Sequence, residues 1–263
     1  MTKKTLFIVP GVLLCANAAN AADTNFLVTG ERTSFSGSFG ERFETGVQST
    51  TDLGSTAFTM HATHGKRKFD SETYKSTRFG GSLYHDWNEK FFTRSSAAIS
   101  SNSPVFATRE IAHDFNYKLF PNAVATVGGK YARYFGGRDA LSWSMGASWY
   151  FSGGQATYRF SQYHVDKLGS STGHLASLRL KDGKGAGSTQ LWAGLGTSLH
   201  EHEALIGNQA GKFRSLAVRR VQPVAGPVAL DLTLGRTWYD TPGADYRGTT
   251  ASVGFSITRL PKF

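Results

Sequence analysis

Four adjacent residues, His200, Glu201, His202 and Glu203, open the stretch "HEHEALIG" and carry the most conspicuous chemistry in the chain. Two imidazoles and a carboxylate make a workable donor set for a divalent metal. On an extended backbone His200 and His202 share a face, but nothing else in the sequence converges on them. Exposed loops commonly hold such residues without a ligand, so no metal site is assigned. A second grouping lies in "YHVDKLGSSTGH", with His164, Asp166, Ser170, Ser171 and His174. Serine, histidine and a carboxylate are the parts of a nucleophilic hydrolase, which makes a lipid-modifying enzyme one alternative reading. Against it, nucleophilic catalysis needs a serine fixed beside its base, and these serines lie in a Gly-Ser segment. The run "GKGAGS" (183–188) suggests a phosphate loop only superficially. It lacks the Gly-Lys-Ser/Thr ending and the following helix, and reads as a glycine-rich turn. No catalytic residue and no cofactor is expected.

All three stretches fall between segments of a different kind. In "LSWSMGASWYF", Leu141, Trp143, Met145, Ala147, Trp149 and Phe151 alternate with Ser142, Ser144, Gly146, Ser148 and Tyr150. In "VALDLTLGRTW", Val228, Leu230, Leu232 and Leu234 alternate with Asp231, Thr233 and Gly235. Near the end of the chain Ala251, Val253, Phe255 and Ile257 alternate with Ser252, Gly254 and Ser256. Period two over such lengths means strands with one oily face and one polar face. A soluble sandwich would wet its polar face with Lys, Glu and Asp. Here that face is mostly Ser, Thr, Gly and Tyr, which suits a crowded or water-filled interior, so the oily face meets lipid. In hydrocarbon every backbone N–H and C=O must be paired within the protein, and strands can cross only as a closed barrel.

The predicted fold is therefore all-β, a single closed antiparallel transmembrane barrel. Fourteen segments qualify: 25–35, 38–50, 55–66, 75–87, 90–100, 106–119, 122–135, 139–151, 154–166, 173–182, 187–199, 212–222, 227–239 and 246–260. The first two alternate less cleanly, which leaves twelve strands as the alternative. Short connections such as "WNE", "FPN" and "SGG" take turns with longer ones such as "GKRKFDSETYK", "SSNSPVFAT" and "VDKLGSSTG". Outer-membrane barrels show that pattern, with short periplasmic turns and longer outer loops.

The front of the chain reads as an address. Lys3 and Lys4, an apolar run from Leu6 to Leu14 and the small residues around Ala19 to Ala22 form a secretory signal peptide, residues 1–22. Residues 23–263 then form the barrel domain in the bacterial outer membrane. Cys15, the one cysteine, leaves with the signal, so the mature chain is without disulfides or thiolate metal sites. Loss of two lysines with the leader lowers the formal net charge from +10 by the same amount. In a cytosolic protein that surplus would suggest nucleic acid; after export it suggests anionic glycans instead. The terminal Phe263 is the aromatic that outer-membrane barrels present to their insertion machinery.

Register places Arg94, Asp114, Lys118, Lys130, Arg159, Arg179, Arg219 and Asp231 on the polar, lumen-facing side. Buried charges persist when paired, so these residues could form a closed network that fills the barrel. Equally, a basic constriction could attract anions. The functional expectation is a monomeric barrel that is not an enzyme and that passes or engages anionic oligosaccharides. A plugged structural barrel is the first alternative and the lipid-modifying hydrolase the second. "GKRKF" (65–69), with Lys75 and Arg78 behind it, reads as a basic outer loop touching outer-membrane lipid and lipopolysaccharide.

Three stretches, "SPVFATREIAHDFNYKLFPNAVATVGGKYARYF", "STQLWAGLGT" and "VQPVAGPVALDLTLGRTWYDTPGADYRG", resemble the YaiO-type outer-membrane β-barrel family over essentially the whole mature chain. The resemblance implies a barrel alone, without the periplasmic repeat domain of some relatives, and assigns no catalytic residue. The ending "ITRLPKF" departs from a simpler aliphatic-Lys-Phe finish.

Overall fold

A computed structural model describes residues 23–258 apart from 70, 167, 184–186, 199–210 and 242–243. The alternating runs become β1 Asp23–Phe35, β2 Glu41–Asp52, β3 Thr56–Phe69, β4 Glu72–Asp86, β5 Phe91–Ser100, β6 Arg109–Phe120 and β7 Ala123–Tyr134. They continue as β8 Arg138–Phe151, β9 Gly154–Val165, β10 Gly169–Lys181, β11 Ser188–Ser198, β12 Gly211–Ala225, β13 Val228–Thr241 and β14 Ala244–Thr258. Every strand pairs antiparallel with its sequence neighbours, and β1 also pairs with β14, which closes the barrel at fourteen. The less regular first strands are full members: β1 and β2 pair from Asp23↔Asp52 to Ser34↔Glu41. Closure leaves no sheet edge, so the backbone is satisfied without water across the hydrocarbon.

The final strand shows why its alternation matters. Val253, Phe255 and Ile257 pair with Gly30, Val28 and Phe26 of β1 on the outward side. Gly254 and Ser252 pair with Thr29 and Glu31 on the lumen side. Outward side chains stand free of the protein: Leu141 and Leu234 are each 62% exposed, as a lipid-facing wall requires. On the lumen side short hydroxyls bridge strands, as in Thr50–Thr59 at 3.1 Å and Thr33–Thr250 at 2.8 Å. At Pro223, which has no N–H to donate, the β12–β13 register shifts by a bulge.

Both ends of β1–β14 lie at one end of the barrel, the near end, with the tight connections 121–122, 152–153 and 226–227. Gly153 and Gly226 take positive φ there, a conformation that favours glycine. At the opposite, far end the strands run on where loops were expected. "GKRKFDSETYK" is a paired hairpin with Lys66↔Lys75 and Phe69↔Glu72, so residues 65–69 are strand and not loop. Charge misleads here, because beyond the bilayer the outer face of a strand meets water and loses its oily signature. Conversely β6 begins at Arg109 and not at 106, because "SPVFAT" leaves the ladder and turns inward.

Candidate functional site: the barrel lumen

The far mouth of the lumen is packed. Phe35 of β1 and Tyr246 of β14 point inward together with Phe39 from the β1–β2 connection, and all three are buried. Phe39 stacks on Tyr246 at 4.0 Å, and Tyr239 of β13 stacks on its other side at 4.4 Å. Arg67 of β3 places its guanidinium 4.1 Å over the Phe35 ring and donates to the Phe39 carbonyl at 2.9 Å. It is only 1% exposed, held in place by aromatic faces. The second obstruction is the β5–β6 connection, 101–108, whose Val105 is 1% exposed. A Cβ on lumen-facing Gly65 would lie 2.6 Å from both Val105 and Phe106, so the loop crosses β4 on the inside and rests on bare β3 backbone. Ser76 fastens its start, with 2.8 Å to the Ser101 hydroxyl.

In the middle of the lumen charges meet. Glu110 of β6 takes Arg78 of β4 and Lys130 of β7 together. Asp114 of β6 reaches Arg159 of β9 at 2.9 Å although β7 and β8 lie between them. Glycines permit that reach. Gly128 faces Asp114, where a Cβ would come within 1.9 Å of the carboxylate, and Gly146 pairs with Arg159. Arg219 of β12 grips Asp231 of β13, with Nε at 2.8 and 3.0 Å from the two carboxylate oxygens. Arg42 lies 2.9 Å from Glu44 and 3.6 Å from Glu31. Removing either partner would strand the other charge in a partly dry wall.

Toward the near end the pattern changes. Arg94 of β5, Lys118 of β6 and Arg179 of β10 face the lumen by register and are exposed. Among the described residues no carboxylate lies within ion-pair distance of any of them. Lys118 rests 6.0 Å over the Phe92 ring, and Arg179 donates to the Ser188 hydroxyl at 3.5 Å. Asp86 shares this rim but accepts the Tyr84 hydroxyl at 2.6 Å.

The eight lumen candidates thus divide. Asp114 with Arg159, Arg219 with Asp231, and Lys130 with Glu110 are neutralised, whereas Arg94, Lys118 and Arg179 are not. Sequence reasoning missed Glu31, Arg42, Glu44, Arg67, Arg78 and Glu110. Glu110 was legible, being four residues before Asp114 on the same alternating face. Arg78, read as part of a basic loop, is instead a lumen-facing member of β4 bonded to Glu110.

The hydrolase parts do not assemble. Ser170 pairs with His164 on the outward face at 3.3 Å, whereas Ser171 points to the lumen and His174 bonds the Tyr158 hydroxyl at 2.7 Å. Among the described contacts no carboxylate reaches His164. His200, Glu201, His202, Glu203 and Phe263 lie outside the described residues.

Comparison with known proteins agrees with this architecture. The YaiO membrane beta barrel domain matches residues 23–203. Among solved structures, the CymD monoaromatic hydrocarbon channel is 8% identical with a TM-score of 0.63, over 90% of this chain and 88% of that one. A bacterial polysaccharide outer membrane secretin is 10% identical with a TM-score of 0.57, over 90% and 98% of the two chains. An anion-selective porin from Comamonas acidovorans is 12% identical with a TM-score of 0.50, over 91% and 99%. At these identities the likeness is one of fold.

Proposed function

The chain belongs to the YaiO membrane β-barrel family, and from that premise we propose that it is an outer-membrane barrel whose lumen passes or engages anionic oligosaccharides. One observation carries the reading: Arg94, Lys118 and Arg179 face the lumen with no carboxylate within ion-pair distance among the described residues. Cations lining a water-filled passage attract carboxylates and phosphates and repel other cations. In this reading residues 1–22 are a signal peptide removed on export, the near end faces the periplasm, and Phe263 is recognised by the insertion machinery. The barrel is a monomer and performs no chemical step.

A second reading, a closed structural barrel, is favoured by the far mouth, where Phe39, Tyr246 and Val105 are buried. Conductance across a planar bilayer separates the two. The pore reading expects single-channel steps with a reversal potential toward the chloride value in a KCl gradient. Silence from correctly folded protein supports the closed barrel and overturns the pore.

A further inference from the structure

The outer wall carries a feature that the lumen reading does not use. On the outward face of β12, β13 and β14, Arg214, Trp238 and Arg247 stand side by side in one row, by the pairings Arg214↔Trp238 and Trp238↔Arg247. Arg236, two residues below on β13, lies with its guanidinium 5.8 Å from the Trp238 ring. Three arginines therefore surround one indole near the far end of a lipid-facing wall. A lipid-facing arginine is costly unless it sits at the headgroup level or finds an anion. Among the described residues none of the three meets a carboxylate within ion-pair distance. The Nε of Arg236 is buried against the wall and has no hydrogen-bond partner there. Asp240 and Asp245 pair in register with each other one step further toward the rim, beside Lys212, and make no ion pair with the row among the described residues.

Directly below the arginines the wall has a shallow, open depression. Ala176, Leu178, Leu191, Ala193, Leu216 and Leu234 border a groove of about 660 Å³, and Arg236 stands at its edge. Small side chains at Ala176 and Ala193, flanked by leucines, make the depression, and its apolar surface opens toward the acyl chains. Toward the near end the same wall offers a contrast. Arg220 of β12 also faces outward, but it is satisfied by Asp182 at 2.7 and 2.5 Å and by Gln222 at 2.6 Å. The protein neutralises that arginine itself, whereas among the described residues none of the far three has a carboxylate within ion-pair distance.

We infer that this wall binds one acylated, phosphorylated lipid molecule, with the phosphate held by Arg214, Arg236 and Arg247 and an acyl chain laid in the groove beneath. Charge complementarity and the adjacent apolar trough select an anionic lipid over a zwitterionic one, and an acylated phosphate over a free one. Trp238 supplies the interfacial ring between the two parts.

The test uses the full mature chain folded in a non-ionic detergent, with bound lipid counted by native mass spectrometry. Dioleoyl phosphatidylglycerol should bind at one equivalent and about tenfold or more tightly than dioleoyl phosphatidylcholine, the scale expected when several arginines meet one anion. Replacing Arg214, Arg236 and Arg247 together by Gln should abolish that preference, whereas Arg220→Gln should keep it. Ala193→Trp fills the groove and leaves the arginines intact, so it should weaken retention of phosphatidylglycerol even if the triple variant does not fold. Equal binding of the two lipids overturns the inference, as does displacement of phosphatidylglycerol by millimolar inorganic phosphate. Unchanged binding in both the Ala193→Trp and the arginine variants overturns it as well. These readouts are independent of conductance, so a barrel that is silent in the bilayer assay still tests the lipid site.

Discussion

The two ends of the lumen solve opposite problems with the same alternating backbone. At the far end, inward positions hold large rings and one enclosed guanidinium, Arg67, with the Val105–Phe106 turn pressed onto Gly65. At the near end, inward positions hold Arg94, Lys118 and Arg179, each exposed and without a carboxylate partner among the described residues. Burial removes water and demands a partner for each charge; a wide wet vestibule makes no such demand. The difference teaches where function resides. In the proposed pore, the far end sets whether anything passes, and the near end sets which sign of charge is preferred.

The largest effect should follow from emptying the far mouth. Val105→Gly with Phe106→Gly removes the two side chains that lie over Gly65 and leaves every ladder bond in place. If the mouth limits the current, single-channel conductance should rise by about twofold or more, because a pore's resistance concentrates at its narrowest part. A conductance equal to the parent's would place the constriction elsewhere and weaken the contrast between the ends.

Next in size is selectivity. Arg94→Glu, Lys118→Glu and Arg179→Glu together should move the reversal potential in a KCl gradient from the chloride side to the potassium side. The control is a swap of a neutralised pair, Asp114→Arg with Arg159→Asp, which conserves local charge and should leave the reversal potential where it was. Equal shifts in both variants would mean that paired and unpaired charges contribute alike, and the near end would lose its special role.

Stability should distinguish the same two classes. Asp231 is buried and gripped by Arg219, so Asp231→Ala strands a guanidinium against the wall. Arg219 keeps some contact with water, which limits the cost to about 1–3 kcal/mol, below that of a fully buried broken pair. Arg94→Ala, which breaks no ion pair, should stay within about 0.5 kcal/mol of the parent. Urea unfolding from lipid vesicles, followed by tryptophan fluorescence, measures both.

Much of this contrast was legible in the sequence, but unevenly. The wall was readable because lipid imposes one chemistry on every second residue, as from Leu141 to Phe151. The lumen-facing side of Arg94 or Arg179 follows from the same alternation. Partners were not readable, because side is a local property and pairing is not. Arg67 meets Phe35 and Phe39 past β2, and Gly65 meets Val105 only because a loop folds back inside the barrel. Where strands extend past the bilayer, as at Lys66 and Lys68, the outer face is wet and carries charge in place of oil, so the segment passes for a loop.

The smallest predicted effect isolates that non-local pairing. Gly128 and Gly129 are neighbours on β7 whose missing side chains would point to opposite faces. A Cβ on Gly128 would fall 1.9 Å from the Asp114 carboxylate, whereas one on Gly129 would meet nothing nearer than the Ser142 carbonyl at 3.8 Å. Alanine at 128 must therefore rotate Asp114 off Arg159, at a cost of about 1 kcal/mol for a charge-assisted hydrogen bond in a partly wet lumen. Alanine at 129 should cost nothing measurable, since strand propensity slightly favours it over glycine. The decisive arm combines Gly128→Ala with Asp114→Ala: if glycine is there to let the aspartate lie across the wall, the alanine at 128 adds no further loss once the carboxylate is gone. Additive losses would show that Gly128 serves the strand itself and that the reach from β6 to β9 does not depend on a bare backbone between them.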